Sequence, residues 1–186
     1  MGKFTRIPQN TFQGLQLDAG ILVKGVNPTT NPVLDQHIIT ATTGGINVVC
    51  QPTFSDLGED VDNVPANMKE LKHLDYWTCS LSTNSLGTSV KLIQLSIGCA
   101  DVDGSDNTKI VPRASLSQGD FDDIWWVGDR ADGGMVAVRL MNALSTDGFS
   151  LQTTKNGKGQ VAIELTGHVS INAQNVVPMV FYSINP

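Results

Sequence analysis

Apolar and polar residues alternate with a period of two over much of the chain, the signature of strands that bury one face. Ile46, Val48 and Cys50 recur at every second position in a run that ends near Phe54. Trp77, Cys79 and Leu81 repeat the pattern opposite Thr78, Ser80 and Ser82. Four more runs follow at 122–128, 135–144, 149–154 and 160–171. In the last of these, Val161, Ile163, Leu165, Val169 and Ile171 form one apolar face while Glu164 and His168 turn away. The intervening ADGG (131–134), STDG (145–148) and NGKG (156–159) supply residues that accept positive φ in tight reversals, so the runs read as a meander. A final strand at 176–184 contains Pro178, which cannot donate to a ladder and so predicts an edge or a bulge. Only one stretch departs to helical spacing. It opens at Thr88 or Ser89 as a capping residue and carries Val90, Ile93, Ile97 and Ala100, with Gly98 weakening its end.

Two segments lack a clear period. Residues 1–35 hold Asn, Pro, Thr and Gln clusters around one apolar patch at 15–26, with Pro28 and Pro32 beyond it, and read as an N-terminal arm. Within it, Phe12, Leu15, Leu17, Ile21 and Leu22 are candidates for contact with another subunit, since a small domain would struggle to cover them. Residues 55–75 read as a solvated loop, longer than ordinary connections, with Asp56, Glu59, Asp60, Asp62 and Pro65 near its start and Lys69 and Glu70 near its end. The pattern predicts one mainly β domain over 36–186, a β-sandwich or barrel with a flanking α-helix, preceded by the arm.

Composition narrows the function. The chain of 186 residues is long enough for one full core. Its charged fraction of 16% is below the usual quarter or so, which leaves surface for partners. A net charge of −6 argues against a protein that grips nucleic acid through its phosphates. Cys50, Cys79 and Cys99 are scattered, without C-x-x-C spacing, and read as reduced packing residues. The N-terminus has neither an apolar run of signal-peptide type nor the serine or threonine of a myristoylation signal, and no stretch has membrane-span length, so synthesis in the cytoplasm is expected.

Candidate chemistry is sparse. His37, His73 and His168 are isolated, so no pair shares a metal-binding face. DVDGSDN at 101–107 has alternating acids, but counting from Asp101 the calcium-loop Gly and Glu positions hold Asp106 and Pro112. No nucleophile elbow, P-loop or dinucleotide fingerprint occurs. Trp125 and Trp126 suggest a stacking platform for a glycan, yet adjacent strand residues point to opposite faces. The expectation is a protein with no catalytic, cofactor or metal residues.

Several segments resemble the major tail proteins, or tail tube proteins, of siphophages and related prophages. They are TFQGLQLDAGILVKGVNP at 11–28, TTGGINVVCQPTFSDLGEDVDN at 42–63, DIWWVGD at 123–129 and LMNALSTDGFSLQTTKNGKGQVAIELTGHVSI at 140–171. The resemblance implies a structural virion protein of the phage tail. It would polymerise as stacked hexameric rings into a tube through which DNA is ejected without specific binding. The implied partners are copies of the chain itself, a tape-measure protein, a tail terminator and tail-tip initiator proteins. It also implies that the 55–75 loop, with Asp56, Glu59, Asp60, Asp62, Asn63, Lys69 and Glu70, reaches an adjacent ring. A carboxylate-bearing lumen would repel DNA, which carries one charge per roughly 1.7 Å of axis. A capsid decoration or head-completion protein is the alternative structural reading, and a glycan-binding β-sandwich module is the alternative binding reading.

Overall fold

The computed structural model describes residues 7, 8 and 10–186. Among these residues ten strands and one α-helix follow in order: β1 Gln16–Lys24, β2 Thr42–Asp56, β3 Lys72–Ser85, α1 Val90–Ile97, β4 Ala100–Val102, β5 Ile110–Pro112, β6 Asp122–Arg130, β7 Met135–Ser145, β8 Ser150–Gln152, β9 Gln160–Gly167 and β10 Met179–Ile184. The protein is mainly β and sandwich-like. β4 and β5 form a separate small ribbon, and the other eight strands form one hydrogen-bonded sheet.

β7 organises that sheet because its two ends serve different neighbours. Residues 135–140 lie between β6 and β10, whereas residues 143–145 pair with β9. One layer therefore runs β1-β6-β7-β10 and the other β2-β3-β9, with β8 beside β9. Between them lies a core of Leu22, Ile124, Trp126, Val138 and Leu140 from the first layer and Cys79, Leu81, Val161, Ile163 and Leu165 from the second. Leu92 of α1 joins the same cluster. Burial of each such aliphatic side chain contributes about 1.5–3 kcal/mol relative to exposure.

Strict alternation on β6 sends Trp126 into this core and Trp125 to a second cluster, with Val23, Val127 and Ala137, on the other side of the layer. The opposite-face reading of the tryptophans is thus seen directly. Both rings are buried, so neither offers the glycan platform considered above. The helix is shorter than its spacing suggested, but its start is as expected: the Ser89 hydroxyl accepts from the Leu92 amide at 3.3 Å. It stops at Gly98, whose φ is +83° and where any Cβ would lie 2.6 Å from the Ser145 carbonyl oxygen.

Three sequence readings are corrected. The proposed arm over 1–35 contains β1, which is a strand of this chain's own sheet, paired with β6 from Ile21↔Val127 to Lys24↔Ile124. Leu22 is 1% exposed in the core and Ile21 packs on the second cluster, so these two are not arm contacts. Second, the long loop is confined to residues 57–71, because Ser55 and Asp56 still belong to β2 and residues 72–75 already belong to β3. Third, β9 ends at Gly167, and Val169 and Ile171 do not continue its apolar face; Ile171 is 82% exposed. Among the described residues β10 pairs only with β7 and is an edge, with Pro178 just ahead of its first residue.

Candidate assembly surface

β2 and β3 are 15 and 14 residues long, and they outrun the sheet they belong to. β9 supports β3 only from Ser80 to Ser85. Beyond that point the two strands continue as an unsupported two-stranded ribbon, and every residue from 72 to 78 is exposed on both faces. Isolated two-stranded ribbons are marginal in water unless something packs on them.

The register shows what the ribbon carries. Directly opposed pairs run Val48↔Leu81, Cys50↔Cys79, Pro52↔Trp77 and Phe54↔Leu74. By strand alternation these all lie on one face, the face that lines the core at its inner end. The apolar stripe of the core thus runs out along the ribbon with no cover from the described residues. Phe54 is 57% exposed, and Leu74 and Trp77 are also exposed. Tyr76, paired with Thr53 on the other face, is 60% exposed. A register shift between Thr53 and Phe54 accommodates Asp75 as an extra residue, whose carboxylate accepts from the Ser55 hydroxyl at 2.9 Å.

The tip at 57–71 is a folded loop. Asp56 closes its base: one carboxylate oxygen accepts from the Gly58 amide at 3.0 Å and the other from the Asn67 amide at 2.9 Å. These two backbone bonds, with Lys72 Nζ at 3.5 Å, hold the Asp56 carboxyl below its ordinary pKa. Asp60, Asn63 and Asn67 take positive φ, which short polar side chains tolerate. Of the residues expected to reach another ring, Asp56 is therefore committed to the loop's own closure, and Lys69 pairs with Glu70 at 3.4 Å. Glu59, Asp60 and Asp62 are exposed and have no cationic partner among the described residues. Asn63 is exposed beside them. Phe12, Leu15 and Leu17 are exposed too, at and before the N-terminal end of β1. Sequence reasoning missed Phe54, Leu74, Tyr76 and Trp77 as surface residues. The strand period of Tyr76 and Trp77 was visible, but Leu74 read as loop, and the end of β9 that strips their cover was not visible.

Elsewhere the polar groups are occupied by local structure. Asp103 accepts from the Ser105 hydroxyl and amide and from Lys109, which lowers its pKa to about 2. Asp106 is held low in the same way by Thr108. Both turns cap the β4–β5 ribbon. Burial pushes the Cys79 thiol up to about 12, with the Cys50 sulfur 3.7 Å away. His168 lies edge-on to Phe121, and His37 Nδ1 accepts from the Leu34 amide at 3.1 Å. Among the described residues no three His, Cys, Asp or Glu side chains gather as a metal-holding group, and no helix is long and apolar enough to cross a membrane. No protein-family model matches the chain, and no curated protein matches it.

Proposed function

We propose that this chain is a structural subunit of a phage tail tube, polymerising as stacked six-membered rings that enclose a conduit for DNA. The observation that carries the reading is the overhanging hairpin: a core-continuous apolar stripe on an unsupported ribbon is a surface that requires a partner. Copies of the same chain meet the requirement at no cost in new components. The open edges of β2 and β10, and the part of β1 that Ile38 and Ile39 do not bridge, fit this reading, because exposed edges invite indiscriminate pairing unless a neighbour completes them. Lateral pairing of such edges closes a ring, and the projecting tip contacts the next ring. The tape-measure protein, tail terminator and tail-tip initiators are the partners that set length and starting point. DNA passes through an acidic protein that offers little to hold its phosphates.

Negative-stain microscopy of the concentrated purified protein tests this. Rings or tubes of uniform diameter are expected. A chain that remains a dispersed monomer at high concentration, and also beside its tail-tip initiators, overturns the proposal.

A further inference from the structure

The two ends of the long strands carry opposite chemistry. β3 runs from the hairpin tip at Lys72 to Ser85, a path of about 40 Å at strand rise. At that far end Ser85 lies opposite Val161 of β9, and Val161 lies opposite Leu151 of β8. The turn at 153–159, which joins β8 to β9, therefore extends from the pole of the subunit opposite the tip. It carries Lys155 and Lys158, both exposed and both without a carboxylate partner among the described residues. The turn is a defined shape: Asn156 takes φ 60°, and the Gly157 amide donates to the Thr154 carbonyl at 3.2 Å. Beside it, Phe149 and Leu151 are exposed. Leu151, opposite buried Val161, prolongs the apolar inner face at this pole as Phe54 and Leu74 do at the other.

We infer that the acidic hairpin tip of one copy, through Glu59, Asp60 and Asp62, seats on the Lys155 and Lys158 turn of the next copy. This rests on the proposed polymerisation and names the receiving surface for it. A symmetric tip-to-tip contact would bring two sets of unpaired carboxylates together, and a turn-to-turn contact would oppose lysines. Only the head-to-tail arrangement joins unlike charges and also meets apolar with apolar. Because the two patches differ and lie at opposite poles of the subunit, the contact repeats along that axis and gives a polar filament.

Charge reversal at each end tests the pairing. Lys155→Glu with Lys158→Glu, and separately Glu59→Lys with Asp62→Lys, which spares the positive-φ Asp60, are expected to raise the concentration needed for sedimentable tubes by about tenfold or more. The first pair makes the chain more acidic and the second less, so a shared loss cannot come from net charge. All four positions are exposed, and circular dichroism melts matching the wild type establish that each variant is folded. An equimolar mixture of the two variants is expected to restore tubes, with the lysine tip of one on the glutamate turn of the other. Either variant polymerising like the wild type, or a mixture that stays dispersed, overturns the pairing while leaving tube formation standing. A wild-type chain that forms no polymer overturns the proposed function itself, and the pairing with it.

Discussion

Asp56 shows how one side chain can organise a loop that sequence alone presents as an acidic surface. Its two oxygens bind amides at both ends of the tip, so its folded pKa is depressed. A depressed carboxyl stabilises the fold when ionised: the contribution is present above the ordinary aspartate range and is lost as pH falls through the folded value. In an NMR titration the Gly58 and Asn67 amide resonances are expected to move together, with a midpoint below the ordinary 3.8. Asp56→Asn is expected to abolish that transition; a midpoint at or above 3.8 would show that the carboxyl does not close the loop. Gly20 and Leu22 make the corresponding case for β1. Gly20 has φ +68°, and a Cβ there would lie 2.3 Å from the Val127 carbonyl oxygen. Leu22→Ala is expected to cost about 2–5 kcal/mol in chemical denaturation, as for other buried leucines. An arm residue outside the core would show almost no change.

At the level of elements, legibility followed apolar burial. β9 was plain because one of its faces is apolar, β6 and β7 because apolar residues pack on both of their faces, and α1 because Ser89 marks its start. β1 was hidden by its own irregularity. The register shifts between Leu17 and Ile21, where Asp18 and Gly20 take positive φ, so the apolar positions on either side fall out of phase. The outer half of β3 was hidden for a different reason. Residues 72–75 are solvated on both faces, so nothing in KHLD alternates, and the strand is revealed only by its ladder with β2. The candidate surface was accordingly half legible: the acidic tip could be read, but the overhanging stripe could not. The stripe can be tested apart from the tip. Phe54→Thr with Leu74→Thr keeps a strand-compatible cross-strand pair at this site while removing its apolar surface. Stability of the dispersed subunit is expected to change by no more than about 0.5 kcal/mol, as for ordinary surface positions. Tube formation, followed by sedimentation, is expected to fail. Loss of folding would instead place this stripe within the subunit's own core.

For the whole molecule, the proposed assembly links stability to concentration by mass action. A dispersed subunit leaves the ribbon, the exposed residues Phe149 and Leu151, and the margins of its sheet in water. Copies of negatively charged chain also repel one another, so the proposed association must be driven by covering this apolar surface and by local charge pairing, against the global field. Anything that binds the folded state and not the unfolded one raises the unfolding temperature in proportion to the logarithm of its concentration. In the proposed assembly the partner is the chain itself. Calorimetric unfolding should therefore shift upward as protein concentration rises through the onset of tube formation, and should be flat below it. The Phe54→Thr, Leu74→Thr variant is expected to keep the flat, low-concentration Tm throughout. The two curves should coincide when dilute and separate only where the wild type polymerises, which distinguishes stabilisation through contact between copies from any difference in the isolated fold. A wild-type Tm independent of concentration across visible tube formation would mean that the contacts bury too little surface to account for the overhang.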